Sequence, residues 1–98
     1  MAFAEHARVE GQVYCTAMGA REIARSRGWK GPGGGLISLE GAMAKLARES
    51  GGSVLWRADD SVTVYAARQG KVRQVTHEAG SDAAIWLIQR FRKAADRV

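Results

Sequence analysis

Trp86, Gln89, Arg90, Lys93 and Arg97 recur at spacings of three and four within the last eighteen residues. On a helix that spacing puts them on one side. Cations in line with a tryptophan suit a polyanion, because the guanidinium and ammonium groups neutralise phosphates or carboxylates while the ring offers a stacking face. The competing account is a solvated polar face with Trp86 tucked against a neighbouring loop. A second cluster, Trp29 amid Arg21, Arg25, Arg27 and Lys30, precedes a glycine-rich stretch and could close on a nucleic-acid strand. Its alternative is Trp29 anchoring that loop into the core, since tryptophan carries a large apolar area.

Groups suited to catalysis are few: His6, Cys15, His77 beside Glu78, and the Asp59-Asp60 pair. Neighbours on a strand point to opposite faces, so His77 and Glu78 do not converge, and Asp59-Asp60 sits where turns favour aspartate. Two distant histidines and one cysteine have no metal-ligand spacing, and no cofactor is expected. Gly31-Pro32-Gly33-Gly34-Gly35 lacks the Lys-Ser/Thr end of a nucleotide-binding loop and reads as a hinge or linker. One inventory fits an enzyme: Arg57, Arg68, Lys71, Arg73 and His77 resemble the cation-and-histidine sets that small ribonuclease toxins array on a short sheet.

The elements that must position these groups follow from periodicity. Gln12 to Cys15 suits a short strand, and Thr16 caps a helix to about Ser26 whose buried side takes Ala17 or Met18, Ala20, Ile23 and Ala24. Residues 1–11 fit neither period. After the glycine stretch, Ser38 caps a helix with Leu39, Ala42, Met43, Leu46 and Ala47 at helical spacing, ended by Gly51 and Gly52. The period then changes to two. Strands are predicted over Val54–Arg57, Val62–Ala67 and Lys71–His77, joined by Ala58-Asp59-Asp60-Ser61 and Gln69-Gly70, with Lys71, Arg73 and His77 toward solvent if Val72 faces the core. Ser81 caps a last helix with Asp82 in its first turn, burying Ala84, Ile85, Leu87, Ile88, Phe91, Ala94 and Ala95. The expectation is one small α+β domain: a three-stranded antiparallel meander packed against helices, in α-β-β-β-α order, preceded by a short strand and helix.

Ninety-eight residues support one modest core. Fifteen Lys and Arg against ten Asp and Glu leave a net charge of +5, which favours polyanionic partners, though excess charge also serves solubility. The single cysteine rules out an intrachain disulfide and points to a reducing, cytoplasmic setting. No apolar run reaches signal-peptide or membrane-span length, so no membrane partner is expected.

The order over Ser38 to Arg97 is similar to that of the double-stranded-RNA-binding domain. That family opens its final helix with a basic cluster, whereas this helix opens Ser81-Asp82-Ala83-Ala84, and the first inter-strand loop here is the acidic Ala58-Asp59-Asp60-Ser61. Both departures weigh against duplex RNA, and no family assignment follows. The expected function is a non-enzymatic module contacting DNA or RNA through the Trp86 and Trp29 faces. The alternative is an inhibitor or adaptor, like short phage- or plasmid-encoded accessory proteins, that docks Trp29, Trp86 or Tyr65 on a protein. Self-pairing of an open sheet edge into a homodimer is compatible with either.

Overall fold

The computed structural model describes residues 3–96. Its strands are β1 (His6–Val9), β2 (Gln12–Thr16), β3 (Gly52–Trp56), β4 (Val62–Arg68) and β5 (Lys71–His77), with helices α1 (Ala17–Ser26), α2 (Leu39–Ser50) and α3 (Asp82–Ala95). The five strands form one mixed sheet in sequence order, an α+β fold. β3, β4 and β5 are the expected antiparallel meander, but β2 adds to it in parallel and β1 closes antiparallel on β2. The segment before the glycine stretch is thus built into the sheet as one edge strand and the strand beside it.

Two tight turns explain the hairpins. Glu10 and Gly11, at φ +54° and +84°, join β1 to β2, and Gln69 and Gly70, at +52° and +78°, join β4 to β5. Positive φ at both central residues is the two-residue turn whose twist matches that of paired strands. Glu-Gly is a weaker signal for this turn than Asn-Gly or Asp-Gly, and the alternation of His6, Ala7, Arg8 and Val9 before it is only four residues long.

Helix starts match the capping residues: Thr16, Ser38 and Ser81 each accept a hydrogen bond from the backbone N–H three residues on. α1 and α2 cover one sheet face, packing Ala20, Ala24, Ala42, Met43, Leu46 and Ala47 on Val13, Cys15, Leu55 and Tyr65. α3 covers the other, where Ala84, Leu87, Phe91 and Ala95 meet Tyr14, Val54 and Val62. Burial on both faces is why β3 lacks a solvent side: Val54 and Leu55 point to opposite layers and both are buried. The α3 layer centres on Phe91, whose ring lies 5.4 Å from Phe3, 6.2 Å from Tyr14 and 5.9 Å from Trp56.

Two residues expected inside are outside. Met18 is exposed, its place on α1 taken by Gly19, and Ile85 is 45% exposed because α3 buries the line of residues 84, 87, 91 and 95. Gly19 allows the chain before β1 to approach the helix: a Cβ there would lie 2.1 Å from the backbone oxygen of Glu5. Gly19→Ala is therefore expected to destabilise the protein by about 1–3 kcal/mol despite alanine's better helix propensity. A stability equal to or above wild type in urea denaturation would show that the Glu5 strand shifts freely.

Candidate nucleic-acid interface

β4 and β5 place side chains alternately on the two sheet faces, and their register sets which cations meet. Val62, Val64, Ala66 and Arg68 of β4 lie opposite His77, Val75, Arg73 and Lys71 of β5, on the side that carries α3. Toward the hairpin tip this face leaves the helix, and Arg68, Lys71 and Arg73 stand exposed around Ala66. With Gln69 they line a groove of about 570 Å³ whose lining holds no carboxylate. Ala66, itself exposed, makes the floor shallow enough for an anion to approach. The tip is braced from behind, because Arg48 of α2 donates from Nε to the Gly70 carbonyl at 3.3 Å.

The ribonuclease-like inventory divides: Arg68, Lys71 and Arg73 share the groove, while His77 and Arg57 lie apart from it. His77 shares the sheet side of Arg73 but sits four residues along the strand, roughly 14 Å away. Arg57 belongs to the other side, donating from Nε to Thr63 Oγ1 at 3.2 Å. The imidazole is therefore set apart from Arg73 and Arg57 of that inventory. Asp59 and Asp60 serve the turn: Asp59 Oδ1 accepts from the Ser61 amide and hydroxyl, which holds its carboxyl below the usual range, and Asp60 accepts from Trp56 Nε1. Among the described residues no group of three or more His, Cys, Asp or Glu gathers as a metal site.

α3 brings together three of the expected surface residues. Trp86 is 55% exposed, and the Arg90 guanidinium stacks on one face of its ring at 4.4 Å from the centroid. Arg90 is not a free cation, however, because Glu10 in the β1–β2 turn pairs with it at 3.1 Å. Glu10, with a further contribution from Tyr14, holds its guanidinium more firmly protonated than usual. Lys93 is exposed one turn on, beside Arg8 and Glu10 in a shallow recess. Arg97 lies outside the described residues.

The Trp29 cluster does not form the clamp; the ring takes the alternative role of core anchor. Trp29 is 8% exposed and packs in the α1–α2 layer, covered by Arg27 and by Lys45 of α2 at 5.4 and 5.3 Å. Arg27 in turn pairs with Glu49. Arg21 and Arg25 lie exposed on α1, and Lys30 is exposed at the start of the glycine segment. The ring is thus a core anchor with no stacking face to offer. The glycine segment is closed rather than slack: Gly31 donates to the Gly35 carbonyl, Gly34 to Gly31, and Lys30 bridges Leu36. Tyr65, a candidate protein-binding anchor, is also buried; burial raises its hydroxyl's pKa against the opposing pull of Arg57.

Cys15 is no nucleophile at neutral pH. Fully buried with Sγ 3.4 Å from Met43 Sδ, its thiol is pushed up to about 12 by loss of solvent. The unfolded thiol ionises near ~8.5 and the folded one does not, so the unfolded state binds fewer protons above that pH. Stability is expected to be unaffected by this group below about pH 8.5 and to fall between there and pH 12, by up to about 1.4 kcal/mol per unit. Urea midpoints from pH 8 upward check this, with Cys15→Ala expected to flatten the decline; an unchanged slope in that variant would assign the loss elsewhere.

The groove was legible only in part: Lys71 and Arg73 were expected toward solvent, and Arg68 appeared with them only in the ribonuclease-like inventory, not among the expected binding residues. The groove's exposure depends on where α3 crosses the sheet, toward β1, for which the strand pattern holds no sign. No helix among the described residues is long and apolar enough to cross a membrane. No protein-family model, curated relative or solved structure matches the chain, so the interface rests on its own residues.

Proposed function

We propose that the protein is a small nucleic-acid-binding module that takes a phosphate backbone in the Arg68–Lys71–Arg73 groove. The observation that carries this is three exposed cations converging on an alanine floor with no carboxylate in the lining. Surface cations in most proteins are interleaved with acids, whereas an uncompensated trio matches successive backbone charges. Trp86, on the same sheet side, supplies an aromatic face for an unpaired base, with Arg90 ordering the ring from behind. The net charge of +5 adds long-range attraction.

The test is fluorescence anisotropy with labelled single-stranded and duplex oligonucleotides at about 50 and about 200 mM salt, a range over which phosphate-led binding weakens strongly. Binding at low salt that falls steeply with added salt is expected, with preference for the single strand where Trp86 stacks. Absence of binding at low salt, or binding indifferent to salt, would overturn the reading.

A further inference from the structure

β5 has a neighbour on one side only. It pairs with β4 along its whole length, and among the described residues no strand lies beyond it in the sheet. No bulge or proline interrupts residues 71–77, and five of the seven are exposed, including Val75 at 56%. The opposite edge, β1, is only four residues long, and α3 packs against it through Arg90 and Glu10. A continuous open strand exposes a row of backbone N–H and C=O groups ready to pair.

Lys71 and Arg73 are the charges that guard such an edge, so what can pair there depends on register. For a second copy related by a two-fold axis perpendicular to the sheet, the strands run antiparallel and one residue meets its own equivalent. An axis at Arg73 would oppose two guanidinium groups. With the axis at Gln74, Arg73 lies opposite Val75, Lys71 opposite His77 and Val72 opposite Thr76, so all seven residues pair and no two cations face directly. An axis at Val75 would pair only five of the seven strand residues. The aliphatic stem of Arg73 would then cover exposed Val75.

We propose that the protein forms a symmetric dimer by antiparallel pairing of β5 with β5 of a second copy, with Gln74 on the two-fold axis. The two sheets become one, and both cationic grooves lie on the same side of it. Arg73 and its equivalent remain diagonal neighbours across the axis, so their repulsion weakens the dimer at low salt and screening strengthens it. Association should rise with ionic strength, opposite in sign to nucleic-acid binding, and failure of one leaves the other standing.

The experiment combines sedimentation of the full chain with single-cysteine crosslinking. Gln74→Cys is expected to oxidise to a covalent dimer, since directly opposed residues have Cα atoms about 4.5–5.5 Å apart, within disulfide range. Gln69→Cys at the hairpin tip serves as the control and should form no covalent dimer, the native Cys15 being buried. Val75→Lys, placed opposite Arg73 of the other copy, should weaken association at least tenfold, and Val75→Glu should strengthen it. The side chain is exposed in the monomer, so both variants should fold, which circular dichroism checks. A monomer at every concentration and salt, crosslinking no greater at 74 than at 69, equal effects of the two Val75 changes, or an open-ended series of larger species would each overturn the proposal.

Discussion

Replacing Arg68 and Arg73 together with alanine is expected to weaken oligonucleotide binding by about tenfold or more at low salt, and to reduce the slope of log affinity against log salt by about two. Each side chain removed should forfeit one phosphate contact and the counterion that the contact releases. Both residues are exposed at the end of a hairpin whose register is set by its turn and by Tyr65, Ala67 and Val72 on the other face. The fold should therefore survive. The informative control is Arg21→Ala with Arg25→Ala on the outer face of α1, which removes the same net charge from a different surface. If binding follows overall charge alone, the two double variants fall equally; if the groove is the site, only the first loses both affinity and slope. Equal losses would overturn the assignment of the groove while leaving nucleic-acid binding in place.

Phe91→Ala is expected to cost about 3–5 kcal/mol, the largest loss from any single α3 side chain. The ring is 1% exposed and touches Phe3, Tyr14 and Trp56, which come from three separate segments. Removing it leaves a cavity that those rings cannot close together, because each is held by its own strand or by the chain before β1. A domain of this size is stable by only about 5–15 kcal/mol, so the variant should melt more than about ten degrees lower. Ile85→Ala on the same helix, half exposed, should cost under about 1 kcal/mol. Urea denaturation of the pair checks the contrast; a Phe91→Ala loss below 1 kcal/mol would mean that α3 adds little to the sheet it covers.

The elements that were readable are those whose cause is local. Thr16, Ser38 and Ser81 announce helix starts because a hydroxyl satisfies a free N–H three residues away whatever else the chain does. The meander was readable because alternation and turn residues act within a few positions. β1 was missed because its alternation runs for only the four residues His6 to Val9, preceded by Phe3, whose apolar ring meets a partner at position 91 rather than continuing that pattern. Met18 and Ile85 were misplaced because helical spacing defines a stripe to within one residue on either side. Which edge is buried depends on the surface beneath.

The candidate site divides along the same line. That Trp86 and Arg90 would meet follows from a separation of four on one helix, and they do. Glu10, which pairs with Arg90, comes from a turn eighty residues earlier, and only the packing of α3 on β1 brings it there. Trp29 shows the converse: its basic neighbours in sequence suggested an exposed clamp, yet Lys45 from α2 covers the ring and the core takes it. By itself, then, the sequence determined the charge, the helix caps, the meander and the alternation that puts Arg68, Lys71 and Arg73 on one face. The tertiary structure alone decided that β2 joins the sheet in parallel, that Trp29 is buried, and that α3 crosses toward β1 and leaves the hairpin tip uncovered. Hydrogen bonds and side-chain periodicity act over a few residues, whereas burial is decided by which distant surfaces come together.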